Sequence, residues 1–191
     1  IEYLRYTSVV NPHARLRIEI EEEAILFDRA SDEPVIPPKA ILPHPHGVEL
    51  GELKRIAGVC KEPLETFLIN SFSRVGPKTA GEIVQLSGLK PGTRADKLDA
   101  EGLSILQSAM QQAKVPPPQA NLCLSPIGEA LIRQGLEKEF QFDFCSARTR
   151  PAGVHHGHPF IVEAALGYGG RLEIEGNARI MRFANRVPLM Y

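Results

Sequence analysis

The stretch of this sequence with the clearest chemical potential covers residues 73–80 and reads SRVGPKTA. Pro77 suits the first position of a helix, because its missing N–H would have no partner there. Lys78 and Thr79 would then leave free N–H groups at the positive end of the helix dipole. With the charges of Arg74 and Lys78, such a turn is suited to hold a phosphate. An ordinary helical corner with solvated charges is the alternative that these residues leave open.

Two further features extend this predicted site. Gly76 is expected to relax the backbone of the turn, and a second basic turn, KPGTR, brings Lys90 and Arg94. The net charge of −1 argues against a wholly basic nucleic-acid binder, but residues 54–114 contain nine basic and six acidic side chains. Any binding of nucleic acid must therefore be confined to a part of the chain such as this one. The predicted DNA contacts are Arg74, Gly76, Lys78, Thr79, Lys90 and Arg94.

Two groups of histidines are the other candidates for chemistry, at His44-Pro45-His46 and at His155-His156-Gly157-His158. Imidazoles bind metals when several converge. The first group lacks a nearby carboxylate or third ligand, and the second lies between two prolines in a predicted loop. We therefore predict no metal site, with metal binding as the alternative. The three cysteines are widely spaced and form no CxxC pair, which favours a reducing, cytoplasmic setting.

The sequence contains no phosphate-binding loop, GxGxxG, GxSxG or HExxH motif, so it offers no catalytic residues. It also has no apolar run approaching the roughly 20 residues of a membrane span.

The elements that must position these residues form a predicted helical region at residues 47–115. The spacing of Leu64, Phe67, Leu68 and Phe72 is that of a core-facing helical stripe. The periodicity predicts further helices near residues 50–57, at 77–87 and from 99 to 113. Gly88 is expected to end the third helix and Asp99 to cap the fourth.

The regions on either side are mixed. A helix is predicted over residues 1–8, then strands at 15–20 and 24–27 with a turn at 21–23 between them. A lone hairpin is marginal in water, so we expect the sequence to be a fragment of a longer protein. Residues 33–46 are predicted to be a proline-rich linker. Towards the other end, Ser125-Pro126 is predicted to open a fifth helix, followed by strands at 160–166, 171–174 and 179–187.

Several segments together resemble the B subunits of DNA topoisomerase VI, the archaeal type IIB enzymes. They occur in order along most of the chain, and none is diagnostic alone. The segments are PHPHGV at 43–48, FSRVG at 72–76, LSPIGE at 124–129, GHPFIVE at 157–163 and RFANRVPL at 182–189.

This resemblance implies an α+β chain in three parts. Residues 1–40 would be the end of a GHKL-type ATPase domain and its linker, contributing a short β-hairpin. Residues 47–117 would be a small all-helical helix–two-turns–helix domain. Residues 120–191 would be the start of an α/β transducer domain of ribosomal-protein-like βαβ type.

The family resemblance also implies a function for the parent complex. Two B subunits would dimerise on binding ATP and Mg²⁺ and, with two A subunits, pass one DNA duplex through a break in another. The expected partners are double-stranded DNA, the A subunit and a second B subunit in an A₂B₂ heterotetramer, with no membrane. The family's nucleotide-binding motifs and its transducer lysine have no counterpart here, and the tyrosine that cleaves DNA would belong to the A subunit. The segment is thus expected to bind no cofactor and to be inactive alone. Its expected role is DNA-backbone contact and transducer coupling, or, alternatively, a coupling scaffold without DNA contact.

Overall fold

The N-terminal elements follow the predicted pattern closely. In a computed structural model, which describes residues 1–21, 23–172 and 178–190, helix α1 spans Glu2–Val10 and ends before Asn11-Pro12. Strands β1 (Leu16–Ile20) and β2 (Glu23–Phe27) pair antiparallel, with Ile18 opposite Ile25. The predicted helix and both strands are confirmed, whereas the predicted turn at 21–23 includes residue 22, which lies outside the described part of the chain.

The helical region contains the four predicted helices. They are α2 (Leu50–Gly58), α3 (Leu64–Ser71), α4 (Pro77–Ser87) and α5 (Ala100–Gln112), with single 3₁₀ turns at Pro45–Gly47 and Ala95–Lys97. Gly88 ends α4 in the left-handed conformation, with φ of 67°. The Asp99 carboxylate accepts a hydrogen bond from the Gly102 N–H at 2.8 Å. Both predicted helix boundaries are confirmed.

One apolar core joins these helices. The α3 stripe is fully buried there, as are the large side chains that face it from α2, α4 and α5. Phe67 and Phe72 meet edge to face, with ring centroids 5.6 Å apart. Burial of this stripe fixes α3 and α4 around the turn between them, because large apolar side chains at both ends of that turn cannot leave the core without losing their packing. The buried side chains are Leu53, Leu64, Phe67, Leu68, Phe72, Ile83, Leu106 and Met110.

The elements that follow depart from the predictions in three places. A short helix, α6 (Ala120–Cys123), lies where none was predicted. Helix α7 spans Glu129–Glu139 and does not begin at Ser125-Pro126. That prediction was wrong because Gly128 has φ of 91°, outside the helical region, so the helix starts only after it. The Glu163 carboxylate holds this segment by accepting hydrogen bonds from the N–H groups of Ile127 and Gly128, at 2.8 and 2.7 Å.

The remaining strands form three antiparallel pairs. β3 (Phe144–Thr149) pairs with β6 (Glu163–Tyr168), β4 (Gly153–His155) with β5 (His158–Phe160), and β7 (Arg182–Ala184) with β8 (Val187–Leu189). The single strand predicted at 160–166 is wrong, because β5 and β6 pair with different partners. The strand at 179–187 is likewise a hairpin that turns at Asn185-Arg186, both at positive φ. The strand predicted at 171–174 falls partly on residues 173 and 174, outside the described residues.

The chain divides into two compact units. The first comprises Ile1–Pro37, Ser125–Pro151 and Ile161–Tyr191, and its core includes Val9, Val10, Ile132 and Leu136. The second comprises Pro38–Leu124 and Ala152–Phe160, so the β4–β5 hairpin belongs to the unit that holds the helical core. The structure is of the α+β class.

Candidate nucleic-acid interface

The corner between α3 and α4 places Arg74 at the surface by burying its neighbours. Phe72 and Val75 are 1% and 7% exposed, so they hold the two sides of the turn in the core. The Ser73 N–H donates to the Pro43 carbonyl at 3.0 Å and fixes the turn from outside. Arg74 itself is exposed and has φ of 63°, in the left-handed region that non-glycine residues seldom adopt. Such strain is often held at functional sites.

The backbone bend is therefore at Arg74 and not at Gly76, where the sequence predicted it. Gly76 is extended, with φ of −100° and ψ of 179°, and acts as the N-cap residue of α4. The expectation that Gly76 relaxes the turn was wrong. The reason is that the residues on either side of Arg74 are held in the core, so the chain can reverse its direction only at Arg74.

Helix α4 starts without a side-chain cap. Pro77 occupies its first turn, and the first backbone hydrogen bond runs from the Ala80 N–H to the Gly76 carbonyl at 2.9 Å. Within the described part of the chain, the N–H groups of Lys78 and Thr79 have no backbone or side-chain acceptor. Together with the exposed side chains of Arg74 and Lys78, these donors form a positively charged corner, the Arg74 corner, that suits an anion.

The other predicted contacts lie beyond the opposite end of α4. This helix has 11 residues and is therefore roughly 16 Å long, which separates Lys90 from the Arg74 corner. Arg94 is engaged by Asp96 through two hydrogen bonds, of 3.0 and 2.6 Å. The hydrogen bond from Arg94 is the main reason why the pKa of Asp96 is lowered. The structure thus brings Arg74, Gly76, Lys78 and Thr79 together and places Lys90 and Arg94 elsewhere.

The first histidine pair closes the end of α5. His44 Nε2 lies 3.0 Å from the Pro116 carbonyl oxygen, and His46 Nε2 lies 2.9 Å from that of Ala113. The His46 backbone N–H donates to His44 Nδ1, so His44 Nε2 carries the proton and donates to Pro116. Both imidazoles therefore satisfy carbonyl groups that follow the helix. Burial lowers the pKa of His44, and the positive charge of Arg74 acts in the same direction.

The second histidine group forms the tip of the β4–β5 hairpin. His156 and Gly157 make its two-residue turn at φ of 45° and 77°. A Cβ at Gly157 would lie 2.8 Å from the Gly47 backbone nitrogen, and one at Gly47 would lie 2.9 Å from the His156 carbonyl oxygen. The two backbones meet so closely that only glycine fits at both positions. Among the described residues, no three His, Cys, Asp or Glu side chains are arranged to hold a metal ion.

A groove separates the hairpin tip from the end of α5 and has a volume of about 790 Å³. Both histidine groups contribute to its walls, and Gln111 adds an amide. Sequence reasoning could not find it, because its walls come from three segments far apart in the chain. The lining residues are His44, His46, Gln111, Val115, Pro117, Val154, His156 and Gly157.

Within the described residues, no helix is both long and apolar enough to cross a membrane.

Comparison with known proteins gives matches along the whole chain. Residues 117–191 match the family described as "Topoisomerase VI B subunit, transducer". The entire chain is 48% identical over 192 residues to the B subunit of type 2 DNA topoisomerase 6 from Methanococcoides burtonii. It is 40% identical to the protein of that name from Archaeoglobus fulgidus and 36% identical to that from Metallosphaera sedula. The chain spans about a third of these relatives, covering 31%, 32% and 36% of their lengths.

Proposed function

The chain belongs to the topoisomerase VI B-subunit family, and from this premise we propose that it is part of an ATP-dependent type II DNA topoisomerase. The parent B subunit would dimerise on binding ATP and Mg²⁺ and couple this closure to the passage of one duplex through another. Its partners would be double-stranded DNA, the A subunit and a second B subunit, in an A₂B₂ assembly. The similarity over the whole chain is the observation that supports this proposal.

Within that subunit, the chain would contribute to three domains. Residues 1–40 would complete the ATPase domain and linker, residues 47–117 would form a helix–two-turns–helix domain, and residues 120–191 would begin the transducer. The single core around the α3 stripe supports the second of these assignments. The family match of residues 117–191 supports the third.

The local role that we propose is contact with the DNA backbone at the Arg74 corner. Its supporting observation is an exposed arginine held at positive φ directly before an uncapped helix start. Charge and free N–H groups there would bind phosphate oxygens without reading base sequence. This contact would position a duplex against the B subunit, and it supplies no catalytic group.

The coupling scaffold without DNA contact is the second candidate. Its supporting observation is the dispersal of the basic residues: Lys90 lies beyond the far end of α4, and Arg94 is held by Asp96. A duplex-binding face usually presents clustered cations, so a scaffold role explains this dispersal directly.

Duplex binding by the 191-residue chain at several salt concentrations separates the two candidates. We expect Arg74→Glu with Lys78→Glu to weaken binding and to reduce the slope of log affinity against log salt by about 2, since each lost phosphate contact removes roughly 0.9. The control, Lys54→Glu with Lys61→Glu, makes the same charge change on α2 and the loop after it. Equal slopes for the two double variants would overturn the DNA contact and leave the scaffold.

A further variant separates binding from folding. Arg74→Gly removes the charge and also relieves the left-handed backbone, so it should weaken DNA binding while stabilising the fold by about 1 kcal/mol. If this variant is stabilised and still binds DNA more weakly, misfolding is excluded as the cause.

A further inference from the structure

The groove beside the Arg74 corner combines polar side chains with small apolar walls. Three imidazoles and one amide supply its polar atoms, and among its described lining residues there is no carboxylate. Its remaining walls are aliphatic, from Val115, Pro117 and Val154. Side-chain donors beside small apolar surfaces suit a ligand that itself combines anionic and apolar groups.

Not every imidazole in the groove is available to a ligand. His44 uses both ring nitrogens, one towards Pro116 and one towards the His46 N–H. His46 uses only Nε2. In the part of the chain that the structure describes, His46 Nδ1, the His156 ring and the Gln111 amide have no hydrogen-bond partner. An imidazole that donates from Nε2 to the Ala113 carbonyl can only accept at Nδ1, so His46 offers an anion no donor. The His156 ring and the Gln111 amide remain as donors, and they come from two different segments.

The groove and the Arg74 corner are joined through the backbone. The Ser73 N–H bonds to the Pro43 carbonyl, which directly precedes His44 in the groove wall. The charge of Arg74 is also near enough to His44 to affect it electrostatically. An anion chain that leaves the Arg74 corner on this side therefore meets the groove, whereas Lys90 lies beyond the far end of α4.

We propose that the groove is a second DNA-backbone site, in which Gln111 and His156 contact the phosphates and sugars that follow those bound at the Arg74 corner. This inference rests on the proposed DNA contact. It adds further contacting residues and the direction in which the DNA backbone would run from the Arg74 corner. The donors would face phosphate oxygens, and the aliphatic walls would face deoxyribose, the two backbone parts that proteins contact without reading sequence. A volume of about 790 Å³ exceeds what a single phosphate needs.

Two matched pairs of variants test this assignment in the 191-residue chain. Gln111→Glu places a negative charge in the groove, while Gln112→Glu places the same charge on the next residue of α5, outside the groove lining. His156→Glu and His155→Glu form the second pair, on one hairpin and one residue apart. Each pair changes the net charge equally, so a difference within a pair reports local contact.

We expect Gln111→Glu and His156→Glu to weaken duplex binding at least about fivefold more than their controls, and to lower the salt slope by roughly 1. Thermal unfolding of each variant establishes that it is folded, and the Gln111 pair remains informative if the strained turn at His156 does not tolerate substitution. Equal binding within both pairs would overturn the groove assignment.

The same titrations distinguish this failure from failure of the proposed function. If Arg74→Glu with Lys78→Glu weakens binding while both groove pairs show no difference, the corner contacts DNA and the groove does not. If neither the corner variants nor the groove variants differ from their controls, the proposed DNA contact fails and the groove assignment fails with it.

Discussion

Arg74 combines two properties that normally oppose each other. Its side chain is exposed, yet its backbone is held at φ of 63°, in the left-handed region. The burial of Phe72 and Val75 on either side supplies the constraint. The sequence predicted a turn here from Gly76 and Pro77, and the turn exists. The sequence could not identify Arg74 as the left-handed residue. Core packing of the neighbouring residues determines which residue of the turn is left-handed, and local propensity does not.

At the same scale, His44 should make stability depend on pH. Its pKa in the folded chain is lowered, chiefly by burial, so the unfolded chain binds more protons below about pH 6.5. The contribution of His44 to the free energy of unfolding should therefore be constant above that pH and fall as the pH decreases. Urea unfolding at pH 7.5 and 5.5, roughly one unit either side of the ordinary histidine pKa, measures this loss.

Two substitutions assign that loss to the residue. His44→Gln retains a donor for Pro116 but cannot titrate, so it should reduce the difference between the two pH values. His155→Gln changes an exposed histidine of the same unit and should retain the difference seen in the unmodified chain. The prediction is wrong if both variants behave alike.

At the scale of elements, the sequence predicted helices that carry their own boundary signals. Asp99 caps α5 and Gly88 ends α4, each through local chemistry that is visible in the sequence. Helix α7 differs, because its start is fixed by Glu163, far along the chain. The strand at 160–166 was mispredicted for a similar reason: a continuous apolar run does not reveal that β5 and β6 pair with different strands.

The start of α7 should consequently depend on a residue outside the helix. Glu163 accepts hydrogen bonds from Ile127, Gly128 and the Thr149 hydroxyl, at 2.8, 2.7 and 2.8 Å. Glu163→Ala leaves all three donors without this acceptor and should lower the free energy of unfolding by about 2 kcal/mol. Thr149→Val removes one bond and should cost about 1 kcal/mol. Urea unfolding compares them; an equal loss in both variants would contradict a shared clamp.

At the scale of the whole molecule, the two units should differ in local stability. Among the residues that the structure describes, the core cluster of the second unit contains many fully buried large side chains from four helices, whereas that of the first contains four buried residues, from α1 and α7. Backbone amides in α3, α4 and α5 should therefore exchange with solvent more slowly than those in α1 and α7. Native-state hydrogen exchange measures this order directly.

A core substitution tests the predicted difference in local stability between the two units. Leu106 is fully buried in α5, and Leu106→Ala should cost about 2–5 kcal/mol. We expect this variant to accelerate exchange in α3, α4 and α5 and to leave α1 and α7 unchanged. Equal acceleration in both units would show that they unfold together.

The groove marks the limit of what sequence could predict for the candidate site. The Arg74 corner is contiguous, so the types and order of its residues were sufficient to predict a charged turn before a helix start, and phosphate binding there stays a prediction. Gln111 and His156 are brought to the groove by the helical core and by the docked hairpin. Nothing in the spacing of distant histidines indicates that they share a wall. From sequence alone the two groups were treated separately, with metal binding only as the alternative, and so did not lead to a nucleic-acid site.

The close meeting of Gly47 and Gly157 has a consequence for synthesis of the chain. The second unit begins at Pro38 but is completed by Ala152–Phe160, after an excursion into the first unit. While the chain is being translated, the helices can collapse around their core long before the hairpin emerges. The hairpin cannot cover the surface around Gly47 during that interval, so the groove is completed only after residues 152–160 have been synthesised.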